Sequence, residues 1–452
     1  MLNRKIEKRI RNFLQEDRKA LLITGARQVG KTYIVREIGK ADFESFIEFN
    51  FLENETARTL FENAKSSADV LLRISALTNQ PLIPGKTLIF FDEVQECKEL
   101  VTAIKHLVDA GSYRYVLSGS LLGVNLRDIR SAPVGYMDVF EMFPMDFEEF
   151  ILAVGVAQRV IDSLHDAFEN RTPVDAFIHE RMMELFRLYL IIGGMPSVVA
   201  RYLATNNLQE ATQEQNAILT MYRKDIAKYD PDAKLYLEDI FALIPSELNN
   251  KNKRFILKNL NENFKFSRYQ NSFLWLKNAG VALPTFSVTE PVAPLMLNKS
   301  ANLFKLFLSD VGLLAAMYMD GGLQLKLLNR EKDINFGSVY ENAAAQELKA
   351  HGYDLYYFNS KKQGELDFIV ERAGNATPIE IKSGKDYQRH AALDNVMGNR
   401  DYDIPEAFVF QNDNVRVDGR IVYLPVYMLM FLQKEQIPRE SAIYKPNLDR
   451  LR

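Results

Sequence analysis

The sequence has little material for disulfides, metal-binding histidine clusters or membrane spans. It contains one cysteine, Cys97, which excludes an internal disulfide and suits a reducing compartment. None of its five histidines has metal-ligand spacing to another histidine or to Cys97, which argues against a zinc site. No run of about 18 apolar residues occurs, and the charged N-terminus has no apolar signal core. We therefore expect a cytoplasmic protein that does not enter a membrane.

An excess of charge of one sign is also missing. Lys and Arg number 56 against 59 Asp and Glu, so the formal net charge is −3, and any surface that attracts nucleic acid must be local. The hydrophobic fraction of 47% and the charged fraction of 25% are those of an ordinary globular protein. At 452 residues the chain is expected to form about two to four domains.

Residues 1–150 alternate short apolar segments with helical patterns, which predicts a parallel α/β sheet. The predicted strands are 20–24, 46–51, 87–91, 115–118 and 140–143, and the predicted helices are 31–40, 53–77 and 99–110.

A glycine-rich loop follows the first predicted strand. Residues 25–32 fit the pattern G-x-x-x-x-G-K-[ST], and a helix is predicted directly after them. In this context the loop amides and the helix N-terminus face phosphate oxygens, the lysine reaches the β- and γ-phosphates, and the threonine hydroxyl binds Mg²⁺. An accidental glycine loop is the alternative. The residues expected to bind ATP are Gly25, Ala26, Arg27, Gln28, Val29, Gly30, Lys31 and Thr32.

Two carboxylates end the strand predicted at 87–91. Asp92 is expected to hold Mg²⁺, mostly through water, and Glu93 to polarise the attacking water, because ligands of open α/β sheets bind at the carboxyl ends of strands. A solvated strand end is the alternative for the pair.

The next strand ends in Ser118-Gly119-Ser120. A polar side chain there can bond the γ-phosphate or the attacking water; Ser118 is the first candidate and Ser120 the second. Arg127 and Arg130 follow and are candidates for transition-state charge, with a surface salt bridge as the alternative for either.

These elements resemble an AAA-type P-loop ATPase, and more narrowly a family of bacterial and archaeal ATP-binding proteins with an uncharacterised C-terminal domain. The resemblance implies ATP and Mg²⁺ as cofactors. One departure is Tyr136, where relatives often carry a basic residue after the glycine, and this bears on hydrolysis rate or oligomer-dependent activation. The motifs that carry the resemblance are residues 25–32, Phe-Asp-Glu-Val-Gln at 91–95, Ser-Gly-Ser at 118–120, Phe-Pro-Met-Asp-Phe-Glu-Glu-Phe at 143–150, Gly-Gly-Met-Pro at 193–196 and Lys-Leu-Phe-Leu-Ser-Asp-Val-Gly-Leu-Leu at 305–314.

A basic segment lies between Glu247 and Lys277, with seven Lys or Arg against two acids. Its helical pattern ends in an apolar strand, the outline of a helix-turn-helix with a wing, and the resemblance also implies a winged helix. Phosphate contacts would give salt-dependent DNA binding that is largely blind to sequence. The alternative is a structural module whose charges are solvated or paired with acids. The candidate contacts are Lys251, Lys253, Arg254, Lys258, Lys265 and Arg268.

The last third contains a helix with Glu341, then Asp367 before an apolar strand, then the strand Pro-Ile-Glu-Ile-Lys with Glu380 and Lys382 on one face. This order resembles the core of PD-(D/E)XK nucleases. Asp367 and Glu380 are candidate Mg²⁺ ligands, and Lys382 is a candidate for orienting hydroxide. Glu341 would bind the metal directly or act through a group that does. An edge strand with a solvated face is the alternative.

The sequence thus predicts an α/β fold with an AAA-like domain (1–150), a helical linker (151–235), a winged-helix-like module (236–290) and a nuclease-like α/β domain (291–452). Three functions compete: an ATPase switch on nucleic acid, an ATP-gated Mg²⁺-dependent nuclease, and an ATP-binding scaffold for a protein client. Monomer, dimer and larger oligomer stay open.

Overall fold

The computed structural model describes residues 2–62, 66–119, 135–229, 234–250, 253–255, 266–331, 336–384, 389–434 and 443. Ser120, Arg127 and Arg130 lie outside these residues, as do Lys251, Lys258 and Lys265.

The N-terminal region forms a five-stranded parallel sheet in the order β2-β3-β4-β1-β5. All five predicted strands are present, although the fifth begins three residues earlier than expected. The inner strand β3 is buried along its whole length, as expected for a strand covered on both faces. The strands are β1 (Ala20–Thr24), β2 (Ser45–Asn50), β3 (Thr87–Asp92), β4 (Arg114–Gly119) and β5 (Met137–Glu141).

Helices α1 (Lys5–Glu16), α2 (Lys31–Asp42) and α5 (Lys98–Ala110) accompany this sheet. The prediction of one helix over residues 53–77 is wrong. The segment divides into α3 (Glu55–Arg58), a 3-10 turn (Thr59–Phe61) and α4 (Ser67–Leu77).

The physical reason for the division is that two N-caps stand within this segment. The side chain of Asn54 accepts from the amide of Ala57, and that of Ser66 accepts from the amide of Asp69, so helix starts anew at each cap.

A helical region follows, and its sharpest corner is the Gly-Gly-Met-Pro turn between α8 and α9. A Cβ atom on Gly194 would lie 1.9 Å from the carbonyl oxygen of Met145, so only glycine fits. Within the described residues no single helix is long and apolar enough to span a membrane, and α8 and α9 meet that test only as a pair bent by 119°. The helices are α6 (Phe147–Val154), α7 (Gln158–Asn170), α8 (Ala176–Ile192), α9 (Pro196–Thr205), α10 (Leu208–Tyr229), α11 (Lys234–Asn249) and α12 (Phe266–Asn278).

An eight-stranded mixed sheet forms the rest of the chain, in the order β12-β13-β11-β10-β9-β8-β6-β7. Strand β6 pairs with both β7 and β8, so the boundary predicted at residue 290 falls inside one sheet. The strands are β6 (Ala282–Val288), β7 (Lys299–Leu308), β8 (Tyr356–Ser360), β9 (Gly364–Arg372), β10 (Asn375–Ile381), β11 (Ala407–Gln411), β12 (Arg416–Asp418) and β13 (Ile421–Pro425).

The accompanying helices are α13 (Val311–Tyr318), α14 (Gly321–Leu328), α15 (Gly337–Ala350) and α16 (Ala391–Met397). Helix α15 is buried over most of its length. One hydrophobic cluster runs from Ile10 in α1 to Leu432 near the end of the described chain, so the N- and C-terminal parts share a core.

Candidate nucleotide site and carboxylate site

The loop between β1 and α2 has the backbone of a phosphate cradle. Gly25, Gln28 and Gly30 all have positive φ, at 135°, 64° and 97°. A Cβ atom on Gly25 would lie 2.1 Å from the carbonyl oxygen of Met142, so glycine is required there by space as well as by backbone angle. The loop curls so that helix α2 begins at Lys31 with its N-terminus open to the cradle.

The side chain of Lys31 is folded back into this loop. Its ammonium donates to the carbonyl oxygens of Gly25 at 2.9 Å and Ala26 at 2.7 Å. Burial lowers the pKa of Lys31 to about 8. The lysine is therefore bound to neutral carbonyl groups rather than to a carboxylate.

Asp92 at the end of β3 gathers hydroxyl groups from two neighbouring elements. Thr32 Oγ1 donates to Asp92 Oδ2 at 2.9 Å, and Ser118 at the end of β4 donates to Oδ1. The structure thus brings together three predicted residues, with Ser118 bonded to the carboxylate. Asn50 Nδ2, at the end of β2, lies 3.5 Å from Asp92 Oδ2 and was missed, although a polar residue ending an adjacent parallel strand is a signal that sequence reading can use.

Glu93 stands next to Asp92 with φ at 56°, a left-handed conformation rare for residues other than glycine. Its carboxylate accepts a hydrogen bond from the side-chain amide of Gln95. Backbone outliers of this kind concentrate at functional sites. A glycine cradle, a lysine, a threonine hydroxyl and an acidic pair on one sheet edge are the donor set that Mg²⁺-nucleotide needs, so the residues present fit that group.

Residues from beyond the N-terminal sheet contact the same loop. Arg27 forms a salt bridge of 2.6 Å with Asp225 of α10. Gly280, just before β6, lies so close that a Cβ atom there would be 2.7 Å from the amide nitrogen of Ala26. The helical region and the start of the second sheet therefore both touch the cradle.

Tyr136, which the sequence analysis singled out, lies just before the fifth strand, β5. The ammonium of Lys105 lies 5.2 Å from the centre of its ring, and its carbonyl accepts from the amide of Ala20. A cation is thus present beside Tyr136, supplied by α5.

Glu341, Asp367 and Glu380 belong to one electrostatic cluster, although they come from α15, β9 and β10. Asp367 Oδ2 accepts from the amide of Ile381 at 2.9 Å, and Lys382 Nζ lies 2.6 Å from Glu380 Oε2. Asp367 lies in the middle of β9 rather than at its start. The structure therefore groups the residues that the nuclease resemblance singled out.

Two lysines that the sequence analysis did not assign to this centre join the cluster. Lys253 forms an ion pair with Glu341. Lys305 of β7 has a fully buried side chain and lies 2.8 Å from Glu365.

Burial, followed by the charge of Asp367, raises the pKa of Glu380 to about 8. Lys305 was missed because a lysine within the apolar strand pattern gives no local sign of its partner.

These ion pairs decide whether a divalent cation fits. Among the residues that the structure describes, no three His, Cys, Asp or Glu groups are arranged to hold a metal ion. Glu341 and Glu380 are paired with lysines, and Asp367 accepts a backbone hydrogen bond. A divalent cation would first have to displace Lys253 and Lys382 from the two glutamates, and metal binding at Asp367 and Glu380 stays a prediction.

The basic segment is described only in part. Lys253 forms an ion pair with Glu341 in the carboxylate cluster, and its role as a phosphate contact stays a prediction. Arg268 lies in α12, and Lys277 at the end of that helix is exposed.

Family comparisons agree with the N-terminal geometry. Residues 17–151 match the family model described as an AAA domain. The N-terminal region is an AAA-type P-loop domain. Beyond the AAA domain, residues 183–328 and 336–429 match two families described as domains of unknown function, DUF8612 and DUF4143. No curated protein matches the chain.

Among solved structures, the Walker-type ATPase PABY2304 of Pyrococcus abyssi is 14% identical, with a TM-score of 0.42, over 71% of this chain and 96% of that one. The Orc1 protein of Aeropyrum pernix in complex with DNA is 16% identical, with a TM-score of 0.27, over 73% and 93%. Cdc6p of Pyrobaculum aerophilum is 12% identical, with a TM-score of 0.24, over 73% and 96%. All three TM-scores lie below 0.5, and none carries a function over to this chain.

Proposed function

We propose that the protein binds Mg²⁺-ATP in its AAA domain, hydrolyses it slowly, and uses the nucleotide state to switch its C-terminal half, which acts on nucleic acid. The observation that carries the proposal is the glycine cradle at residues 25–32 beside Asp92, whose carboxylate accepts hydrogen bonds from the hydroxyls of Thr32 and Ser118. Cradle and acid lie at the carboxyl edge of a parallel sheet, where such folds bind ligands.

Each residue has a role in this proposal. The cradle amides and Lys31 would bind the phosphates, and Thr32 and Asp92 would hold the metal, which supplies charge neutralisation when bound. Glu93 would orient the attacking water, and Ser118 would respond to the γ-phosphate through its bond to Asp92.

The switch is supported by direct contacts on the cradle from the helical region and from the start of the second sheet. Asp225 pairs with Arg27, and Gly280 abuts Ala26, so a change in the loop on nucleotide binding or loss must be accommodated by α10 and the start of β6. Closely packed interfaces respond to such changes by moving between discrete arrangements.

The deciding experiment measures Mg²⁺-ATP turnover with and without duplex DNA in wild type, Lys31→Ala and Glu93→Gln. We expect turnover in wild type, loss in both variants, and acceleration by DNA. Turnover that DNA leaves unchanged would remove nucleic acid from the proposal.

Tight nucleotide binding with no turnover would instead favour the scaffold function, in which the bound nucleotide organises a surface for a protein client. Tyr136 keeps that alternative open, because the family resemblance drawn from the sequence implies a basic residue at this position.

A metal-dependent nuclease gated by ATP is the second candidate, favoured by the grouping of Glu341, Asp367 and Glu380 with Lys382 beside the basic segment. It requires Lys253 to leave Glu341. The test is cleavage of plasmid DNA with Mg²⁺ or Mn²⁺ in wild type, Lys253→Met and Asp367→Asn. Cleavage that appears in Lys253→Met and is lost when Asp367→Asn is added to that variant would support the nuclease, and no cleavage in any of them would exclude it.

A further inference from the structure

Arg4, the residue just before helix α1, ties one peptide group of the cradle from outside. Its Nη1 donates to the carbonyl oxygen of Val29 at 2.9 Å, and Nη2 donates to that of Phe143 at 2.7 Å. Its Nε donates to Glu149 Oε2 at 3.0 Å, so all three nitrogens of the guanidinium are engaged. The side chain is 9% exposed, and its planar fork fixes the direction of each bond.

Tyr222 of α10 ties a second peptide group. Its hydroxyl donates to the carbonyl oxygen of Arg27 at 3.2 Å, while its ring is buried in the main hydrophobic cluster. The ring is held by packing and the hydroxyl has a fixed position, so this bond also has a set direction.

Because the peptide bond is trans, holding these two carbonyl groups also sets the direction of the N–H groups that follow them. In a trans peptide the carbonyl and the N–H of the following residue point in opposite directions. Holding the Val29 carbonyl outward therefore directs the Gly30 amide to the other side of the loop, and holding the Arg27 carbonyl does the same for Gln28. Both following residues have positive φ, the backbone pattern that turns successive amides into an anion-binding concavity.

We propose that Arg4 and Tyr222 are positioning residues for nucleotide binding, which hold the cradle with its amides directed at the phosphates. The inference rests on the proposed ATP binding and adds two residues that neither the loop motif nor the AAA domain match contains. Arg4 precedes the matched residues 17–151, and Tyr222 follows them.

The expected energetic effect is preorganisation. A loop whose peptides are free to rotate spends only part of its time with both amides inward, and the apparent dissociation constant rises in proportion to the lost fraction. The bound complex itself is unchanged, so the KM for ATP should rise while kcat is retained.

The test titrates Mg²⁺-ADP into the full-length protein by calorimetry. For Tyr222→Phe we expect a dissociation constant about three- to tenfold higher, the range of one hydrogen bond. For Arg4→Lys, which keeps the charge and loses the fork, we expect about tenfold or more.

Two control variants separate positioning from general stability. Tyr189→Phe removes a buried hydroxyl whose partners among the described residues are Met145, Gln346 and Glu347 and include no residue of the cradle. Lys5→Met removes the neighbouring cation, whose ammonium bonds Asp146 and Glu148 and no cradle atom. Both should lower the melting temperature and leave the dissociation constant for Mg²⁺-ADP unchanged.

If wild type binds Mg²⁺-ADP and the variants Tyr222→Phe and Arg4→Lys bind it equally tightly, the positioning role alone is overturned. Controls that weaken binding as much as the two test variants would overturn it as well. Lys31→Ala should bind no nucleotide. If wild type also binds none, the proposed function and this inference are overturned together.

Discussion

The nucleotide site and the C-terminal carboxylate site both place lysines close to carboxylates, but they pair them in opposite ways. In the AAA domain, Lys31 bonds backbone carbonyls, and Asp92 bonds the hydroxyls of Thr32 and Ser118. In the C-terminal sheet, Lys382 bonds Glu380 and Lys253 bonds Glu341 directly. In the first site the lysine and the aspartate form hydrogen bonds with neutral groups, whereas in the second site the lysines form ion pairs with the glutamates.

This difference determines which ligand each site can accept in the present arrangement. A lysine that is hydrogen-bonded to carbonyl groups can give up these weak bonds for a phosphate. An aspartate that is hydrogen-bonded to hydroxyl groups can likewise give up its bonds for a metal ion. A carboxylate that already pairs with an ammonium must lose that ion pair before a divalent cation binds, and a buried charge left alone is costly. In the structure the AAA site offers weakly held partners to a ligand, whereas the C-terminal site would first have to break its lysine–glutamate pairs.

The largest effect should come from Lys31→Ala. Removing the cation that faces the phosphates should lower Mg²⁺-ATP turnover by about 100- to 1000-fold, the range for loss of a key electrostatic contact. Asp367→Asn in the second site should leave basal turnover unchanged. Equal turnover losses in both variants would contradict the separation of the two sites.

Lys305→Met should reduce stability strongly, because it removes a fully buried cation from beside Glu365, Glu341 and Asp367. We expect a loss of about 3 kcal/mol in the free energy of unfolding, measured by urea denaturation. The matched control is Lys326→Met, which breaks an exposed pair with Glu331 and should cost less than about 0.5 kcal/mol. A similar loss in both variants would show that the buried pairing has no special weight.

Lys253→Met should open the second site to metal. Removal of the ammonium from Glu341 should tighten Mn²⁺ binding by about tenfold, the equivalent of about 1.4 kcal/mol of lost competition. Lys277→Met, an exposed lysine in the same basic segment, is the control and should bind Mn²⁺ as wild type does. If both variants bind Mn²⁺ more tightly than wild type, the cause is the general surface charge and not the loss of the Lys253–Glu341 pair.

The pH dependence of nucleotide affinity should follow Lys31. Its pKa is lowered to about 8 by burial, so the ammonium loses its proton as the pH rises through that value. Mg²⁺-ADP affinity should therefore fall above pH 8, by up to about tenfold per pH unit. Lys31→Arg stays charged throughout and should flatten the profile, and a profile equally steep in that variant would assign the titration to another group.

The smallest effect should come from Ser118→Ala, which removes one of the two hydroxyls on Asp92. We expect turnover to fall about threefold to tenfold, the range of a single hydrogen bond. Measurement of kcat and KM separately would show whether the hydroxyl acts after nucleotide has bound. Unchanged turnover would remove Ser118 from the site.

Sequence reading located the AAA domain site because its signals are local. The cradle residues 25–32 are contiguous, and Asp92 and Ser118 each end an apolar strand, so parallel-sheet topology alone brings them to one edge. Asn50 ends a third strand at the same edge and was missed. The helix predicted over residues 53–77 was wrong because periodicity did not register the second N-cap at Ser66.

The sequence by itself determined the parallel N-terminal sheet, its phosphate loop and the identity of the acids beside it, since each depends on neighbours within a few residues. Only the tertiary structure decided which groups face them. Arg4 and Tyr222 stand 25 and 195 residues from the loop carbonyls that they hold, and Lys253 stands 88 residues from Glu341. Hydrogen bonds and ion pairs act over a few ångströms and are indifferent to separation along the chain. Partners of this kind are therefore fixed by packing and not by any pattern of adjacent residues.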